Sequence, residues 1–288
     1  MLRRAFACLN GRRENLGQDE DLSAIAERGL VLLGRGKMGA AMLAGGLERG
    51  VPPAAVHVVD PKPSDWVRGT GVHVNGALPE APAVLLVAVK PQMMDALGDV
   101  ARFGGGRTLV VSVAAGTPIA RFEAAFGSGT PVVRAMPNTP AAIGRGITAV
   151  FGNAAVGADG LALAEELLSA VGRVVRLEAE HQMDAVTAVS GSGPAYVFHL
   201  IEAMTAGGVA EGLPEALAAE LALATVAGAG ALAEQAEEDP AQLRINVTSP
   251  GGTTQAALEV LMDEERGFPQ LLREAVAAAA QRGRELGK

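Results

Sequence analysis

"LVLLGRGKMGAAML", residues 30–43, passes from four apolar residues into three glycines and then into a helical pattern. Gly34, Gly36 and Gly39 stand as G-x-G-x-x-G between a strand and a helix. In that setting the first glycine permits a tight turn, the second lets the backbone approach a pyrophosphate, and the third lets the helix lie close on its strand. The first turn of the helix also carries unpaired N–H groups that favour an anion. The next apolar run, "VHVVD", ends in Asp60, where a carboxylate accepts the ribose hydroxyls of NAD. The stretch therefore predicts a doubly wound α/β dinucleotide-binding domain whose loop is Gly34, Arg35, Gly36, Lys37, Met38 and Gly39. Arg35 in the loop, with Lys62 and Ser64 beyond the strand, offers donors to a 2′-phosphate. The residues alone leave NADH and NADPH both open, and solvated surface charge is the competing reading of Arg35 and Lys62.

Outward from this motif, "VLLVAV", "TLVVSVA", "PVVRAM", "ITAVFG" and "RVVRL" alternate with helical patterns as far as Ala179. Such alternation predicts a parallel sheet with helices on both faces, and the nearly unbroken apolar runs are those of strands buried on both sides. After His181 the strand signals stop, and helices rich in Ala, Gly and Leu follow, broken at "SGSGP", "EGLP", "EDP" and "TSPGG". We therefore expect a Rossmann-like domain over 29–179 and an all-α domain over 180–288. Several of these helices carry too few charges for a solvent-facing side, which predicts a subunit interface.

With 288 residues, 49% of them apolar, the chain is long enough for two cores. A formal charge of −8 without a basic stripe argues against nucleic acid as a partner. The single cysteine, Cys8, cannot form an internal disulfide, and His57, His73, His181 and His199 show no metal-ligand spacing. A cytoplasmic, metal-free protein is expected. "LALATVAGAGALA", residues 221–233, is shorter than the roughly 18 apolar residues of a membrane span, so it reads as a buried helix and no membrane partner is expected. Residues 1–28 begin with two arginines, but "AFACL" is too short for a signal-peptide core. They are expected to be a flexible extension or the product of a start codon placed too early.

"SGSGP" is not a nucleophile elbow, because Ser190 stands where G-x-S-x-G needs glycine. Ser192 followed by Pro194 reads as a helix start, with Tyr196 and His199 packed or interfacial on that helix. In "TSPGGTTQAALEVL", residues 248–261, a Ser-Pro-Gly-Gly turn opens directly into a helix. Two readings apply there: a helix start capped by Ser249 or Thr253, or an anion site on the first-turn N–H groups. Lys90, at the C-terminal end of a buried strand, is either a proton donor or part of the scaffold.

The glycine loop, "VAVKPQ" (87–92), "RAMPNTPAAIGRG" (134–146), "AVTAVSGSGPAYVFHLIEAM" (185–204) and "LRINVTSPGGTTQAALEVL" (243–261) in this order resemble the pyrroline-5-carboxylate reductase family. The resemblance covers the chain from about residue 29 onward. It implies reduction of 1-pyrroline-5-carboxylate to L-proline by NAD(P)H, the last step of proline synthesis, in a homodimer with interlocked helical domains. Assembly of dimers into a larger ring such as a decamer is a further implication. Carried over by position, Asn75 lies near the adenosine half of the cofactor, Val89, Lys90 and Pro91 border the nicotinamide, and Met136, Pro137 and Asn138 lie at the same mouth of the sheet. The substrate carboxylate is held by Ser249 and the backbone of Gly251, Gly252 and Thr253, with the Thr254 hydroxyl near the ring nitrogen. Arg35 and Lys37 depart from the small residue and the asparagine usual in the family; with Lys62, Arg35 leads us to expect NADPH ahead of NADH. The rival readings are a two-domain hydroxy-acid dehydrogenase using Lys90 as base, and a dinucleotide-sensing protein without catalysis.

Overall fold

The computed structural model describes residues 22–34, 36–89, 98 and 100–287. Cys8, Arg35, Lys90, Pro91 and residues 1–21 lie outside the described residues. The described chain divides into two compact units, one of residues 22–192 with 278–287 and the other of Gly193–Ala277.

The first unit opens with α1 (Ser23–Arg28), whose Ile25 is fully buried. Residues 22–28, expected in the extension, thus include a helix that places Ile25 in the core. Next come β1 (Leu30–Leu33), α2 (Lys37–Glu48), β2 (Val56–Val59), α3 (Asp65–Gly69), β3 (His73–Val74), β4 (Val84–Val87), β5 (Leu109–Ser112), α4 (Ile119–Phe126), β6 (Val132–Met136), β7 (Gly146–Gly152), α5 (Ala158–Ser169) and β8 (Gly172–Arg176). The eight strands form one sheet in the order β3-β2-β1-β4-β5-β6-β7-β8. This is the expected doubly wound α/β sheet, with β1 between β2 and β4. Because successive side chains of a strand point to opposite faces, β1 seeds two cores. Leu30 and Leu32 pack with Met42, Leu43, Leu167 and Leu168 on one face, while Val31 and Leu33 share a cluster with Phe103, Ile119, Phe122 and Phe126 on the other. Each such burial is worth about 1.5–3 kcal/mol.

Two features of the sheet differ from the expected run of parallel strands. β3 is only two residues long, too short to register as an apolar run. β7 runs antiparallel to β6, with Met136 opposite Ala149. The connection between them contains only the short 3₁₀ turn Thr139–Ile143, and a parallel return needs a dozen or more residues.

Beyond β8, α6 (Met183–Val186) runs into a single π-helical turn over Thr187–Gly191. The second unit then begins with α7 (Gly193–Ala210), Pro194 in its first turn as expected, and α8 (Glu215–Gln235), which packs along α7. Gly208 allows the close approach: a Cβ there would lie 3.2 Å from that of Ala218. α9 (Pro240–Asn246) is capped by Asp239, whose Oδ1 accepts from Gln242 N at 2.9 Å. α10 (Thr253–Leu261) follows, and α11 (Phe268–Leu286) begins in this unit and ends in the first.

Leu217, Leu221, Leu223 and Leu232 of α8 are exposed in the single chain, as are Val197 and Phe198 of α7. α8 has 21 residues and a mean hydropathy of 1.7 over its most apolar window, so by length and composition alone it is long enough to cross a membrane. That corrects the estimate taken from its uncharged letters: the helix runs on past both ends of residues 221–233.

Candidate functional site

Ligands of open α/β sheets bind at the carboxyl ends of the strands, and β1, β2, β3 and β4 bring the expected dinucleotide residues there. Gly34 has φ +81°, and a Cβ on it would lie 2.6 Å from Val89 Cγ1. The turn thus needs glycine, and it seats the loop against Val89 at the end of β4. A Cβ on Gly39 would lie 2.7 Å from the Gly34 carbonyl oxygen, so the third glycine lets α2 lie close on the turn. Gly36, the N-cap of α2, has none of the described residues within 4 Å of its Cβ position and no side-chain cap. Open space in front of an uncapped helix N-terminus that begins with Lys37 and Met38 fits a pyrophosphate.

Asp60 follows β2 and is 9% exposed. Its Oδ1 accepts from Lys62 N at 2.7 Å. Asn75, just past β3, has φ +51°; its Oδ1 accepts from Asp60 N at 3.0 Å and its Nδ2 donates to Asp60 O at 2.8 Å. Below them His57 and His73 stack across β2 and β3 with centroids 4.6 Å apart. Burial, and then His73, hold the His57 pKa below that of an ordinary histidine.

Met136 closes β6, and its Cε lies 2.5 Å from where a Cβ of Gly191 would sit, so the "RAMPN" and "SGSGP" blocks meet. Pro137 is buried. Asn138 Oδ1 accepts from Ile147 N at 2.9 Å and so staples the β6–β7 turn. Ser190 Oγ is buried without a hydrogen-bond partner among the described residues, beside an apolar cavity of about 330 Å³ lined by Ile147, Val175 and Val186. That lining offers a nucleophile no base. Among the described residues no cluster of three or more His, Cys, Asp or Glu is placed to hold a metal.

In the second unit the N-cap of α10 is Gly252, not Ser249 or Thr253, and no side chain caps it. Gly252 N donates to Ser249 O at 3.0 Å and Gly251 N to Gln255 Oε1 at 2.7 Å, which folds the turn back on the helix. Ser249 and Thr253 are exposed and Thr254 is half-buried. Uncapped first-turn N–H groups with three hydroxyls around them suit a small carboxylate. His199, expected to be packed or interfacial, is exposed in the single chain and pairs with Glu202 at 3.0 Å.

Sequence reading missed one buried ion pair. Arg134 on β6 donates from Nη1 to Glu180 Oε1 at 2.8 Å. The charge in "PVVRAM" was the only available signal, and its partner lies far along the chain.

The sheet, the glycine cradle and the helical second unit define a dinucleotide-dependent oxidoreductase with a separate helical unit. Residues 180–286 match the family model for pyrroline-5-carboxylate reductase dimerisation. Pyrroline-5-carboxylate reductase of Synechocystis is 51% identical over 205 residues, covering 71% of this chain and 75% of that one. The structure of a pyrroline-5-carboxylate reductase from Coxiella burnetii superposes with a TM-score of 0.83 at 34% identity, covering 91% of this chain and 99% of that one. For Plasmodium falciparum pyrroline carboxylate reductase with NADP bound the TM-score is 0.77 at 27% identity, with 91% and 99% covered. The chain belongs to the pyrroline-5-carboxylate reductase family.

Proposed function

We propose that the protein reduces 1-pyrroline-5-carboxylate to L-proline with NAD(P)H, the last step of proline biosynthesis. The observation that carries the reading is the joint presence of two uncapped, glycine-fronted helix starts in one member of this family: Gly36 before α2 and Gly252 before α10. One suits a pyrophosphate and the other a carboxylate.

Reduced nicotinamide supplies a hydride to C5 of the C=N bond, and the ring nitrogen ends the reaction protonated. The protein's part is to bind and align. Gly34, Gly36, Gly39 and the first turn of α2, with Lys37 and Met38, hold the pyrophosphate. Asp60 holds the ribose, and Val89, Lys90, Pro91, Met136, Pro137 and Asn138 form the nicotinamide end. Lys90 serves there as scaffold rather than proton donor. Ser249 and the N–H groups of the Gly251–Thr253 turn hold the carboxylate, and the Thr254 hydroxyl orients the ring nitrogen. An iminium is already electrophilic, so alignment and neutral donors suffice without a charged triad. Arg35 and Lys62 engage a 2′-phosphate and favour NADPH, while Asp60 pulls toward NADH.

Residues 180–288 serve as the dimerisation and substrate domain of a homodimer, which covers the apolar faces of α7 and α8 and gives the length of α8 a purpose other than spanning a membrane. The dimers assemble further into a ring such as a decamer, in the cytoplasm. The deciding experiment mixes purified protein with NADPH and pyrroline-5-carboxylate and follows absorbance of the reduced cofactor. Imine-dependent oxidation is expected. Oxidation with keto acids instead would indicate a hydroxy-acid dehydrogenase, and cofactor binding without turnover would indicate a sensor.

A further inference from the structure

Asn75 sits where β3 ends and the chain turns away from β2. Its own N–H donates to Val58 O at 2.9 Å, in line with the parallel pairing of Val58 and Val74. Beyond that point β3 has ended, and the Asn75 carboxamide pairs with Asp60, accepting from Asp60 N and donating to Asp60 O. A left-handed backbone at Asn75 aims the short side chain that way, and asparagine tolerates that conformation better than most residues. On its other side Asp60 is held by its own carboxylate, through Lys62 N. Main chain and side chain are both pinned, so the carboxylate is a negative charge of fixed direction at the end of β2.

A fixed carboxylate there accepts the ribose hydroxyls of an unphosphorylated dinucleotide and repels a 2′-phosphate. The strength of both effects depends on the carboxylate staying where it is. We propose that Asn75 is a positioning residue that sets the choice between NADH and NADPH by holding Asp60. This deepens the dinucleotide reading of the site and rests on it. Both polar atoms of the Asn75 side chain bond to Asp60, which gives the carboxamide a route to the cofactor through that residue.

Asn75→Gly removes the carboxamide and keeps the left-handed backbone free of strain, so it isolates the two hydrogen bonds. Calorimetric titration of the full chain with ADP-ribose and with 2′-phospho-ADP-ribose reads the site without turnover. Loss of an oriented charge-assisted contact is expected to weaken ADP-ribose about tenfold and to leave the phosphorylated ligand unchanged or tighter. The KM for NADH should rise by a similar factor while kcat at saturation changes less than about twofold. In an Asp60→Asn background the same substitution should no longer alter the ratio of the two affinities. Should the glycine variant fail to fold, Asn75→Ser removes the carboxamide without adding a charge and is expected to shift the ratio in the same direction. Equal losses for the two ligands, or a shift in ratio that persists without the Asp60 carboxylate, would overturn the proposal. Wild-type protein that binds neither ligand would overturn the dinucleotide reading itself, and this proposal with it.

Discussion

Glu180 Oε1 accepts two hydrogen bonds from different elements: one from Arg134 Nη1 on β6 at 2.8 Å, the other from Ile119 N at the start of α4 at 2.9 Å. α4 begins after Pro118, which offers no side-chain cap, so a glutamate far along the chain caps the helix instead. The same carboxylate neutralises a guanidinium that is almost fully buried.

Glu180→Ala leaves Arg134 buried without its partner and Ile119 N uncapped. Removing one member of a buried pair costs about 3–5 kcal/mol, and the partial exposure of Glu180 places this pair toward about 2–4 kcal/mol. The melting temperature should fall by about 5–10 °C. Glu180→Gln keeps a neutral acceptor for both donors and should lose roughly half as much. A thermal scan of the two variants checks the order; equal melting temperatures in wild type and Glu180→Ala would show that water replaces the carboxylate at no cost.

The glycines of the cofactor loop separate into a packing role and a binding role. Gly39→Ala places a methyl 2.7 Å from the Gly34 carbonyl and 3.2 Å from Ala88 Cβ. The gain in helix propensity, about 1 kcal/mol, is outweighed by overpacking of about 1–3 kcal/mol, so stability falls and the loop shifts. Gly36→Ala meets none of the described residues within 4 Å and has extended backbone, so the melting temperature should hold. Its methyl occupies the space assigned to the pyrophosphate, and cofactor affinity should drop at least tenfold. Differential scanning fluorimetry with and without NADPH reads both quantities. Undiminished stabilisation of Gly36→Ala by NADPH would place the pyrophosphate elsewhere.

Most of the sheet is legible because its strands are continuous apolar runs closed by glycine or a charge, as in Leu30–Gly34 and Val56–Asp60. The antiparallel β7 was missed, because apolar pattern alone carries no direction; the shortness of the stretch between Met136 and Gly146 was the one signal against a parallel return. Asn75 was legible only as a cofactor-side residue through family resemblance. Its bonds to Asp60 depend on a left-handed backbone and on β3 ending where it does, and neither leaves a local pattern. The Arg134–Glu180 pair was hidden for a similar reason: a charge in a strand-like run shows that a partner is needed without showing where it lies. At α10 the composition gave the turn, while the choice of Gly252 as N-cap came from the backbone folding back through Gly252 N and Ser249 O.

The helix start at Gly252 yields the sharpest test of the chemistry. Thr254 lies in the first turn of α10, and Thr254→Val keeps its shape while removing the hydroxyl. The N-cap of this helix is Gly252 rather than Thr254, so folding and cofactor affinity should stay close to wild type. If the hydroxyl orients the imine nitrogen as its charge changes, its loss should cost about 1.5–3 kcal/mol in kcat/KM, roughly ten- to hundredfold, mostly in kcat. Ser249→Ala should act differently. The substrate carboxylate carries the same charge in the ground and transition states, so a lost contact to it weakens both alike and appears in KM. Steady-state kinetics with pyrroline-5-carboxylate on the two variants separates the roles. Wild-type kcat in Thr254→Val, with the protein folded and cofactor bound, would reduce Thr254 to a structural residue of the first turn and leave the imine nitrogen to another donor.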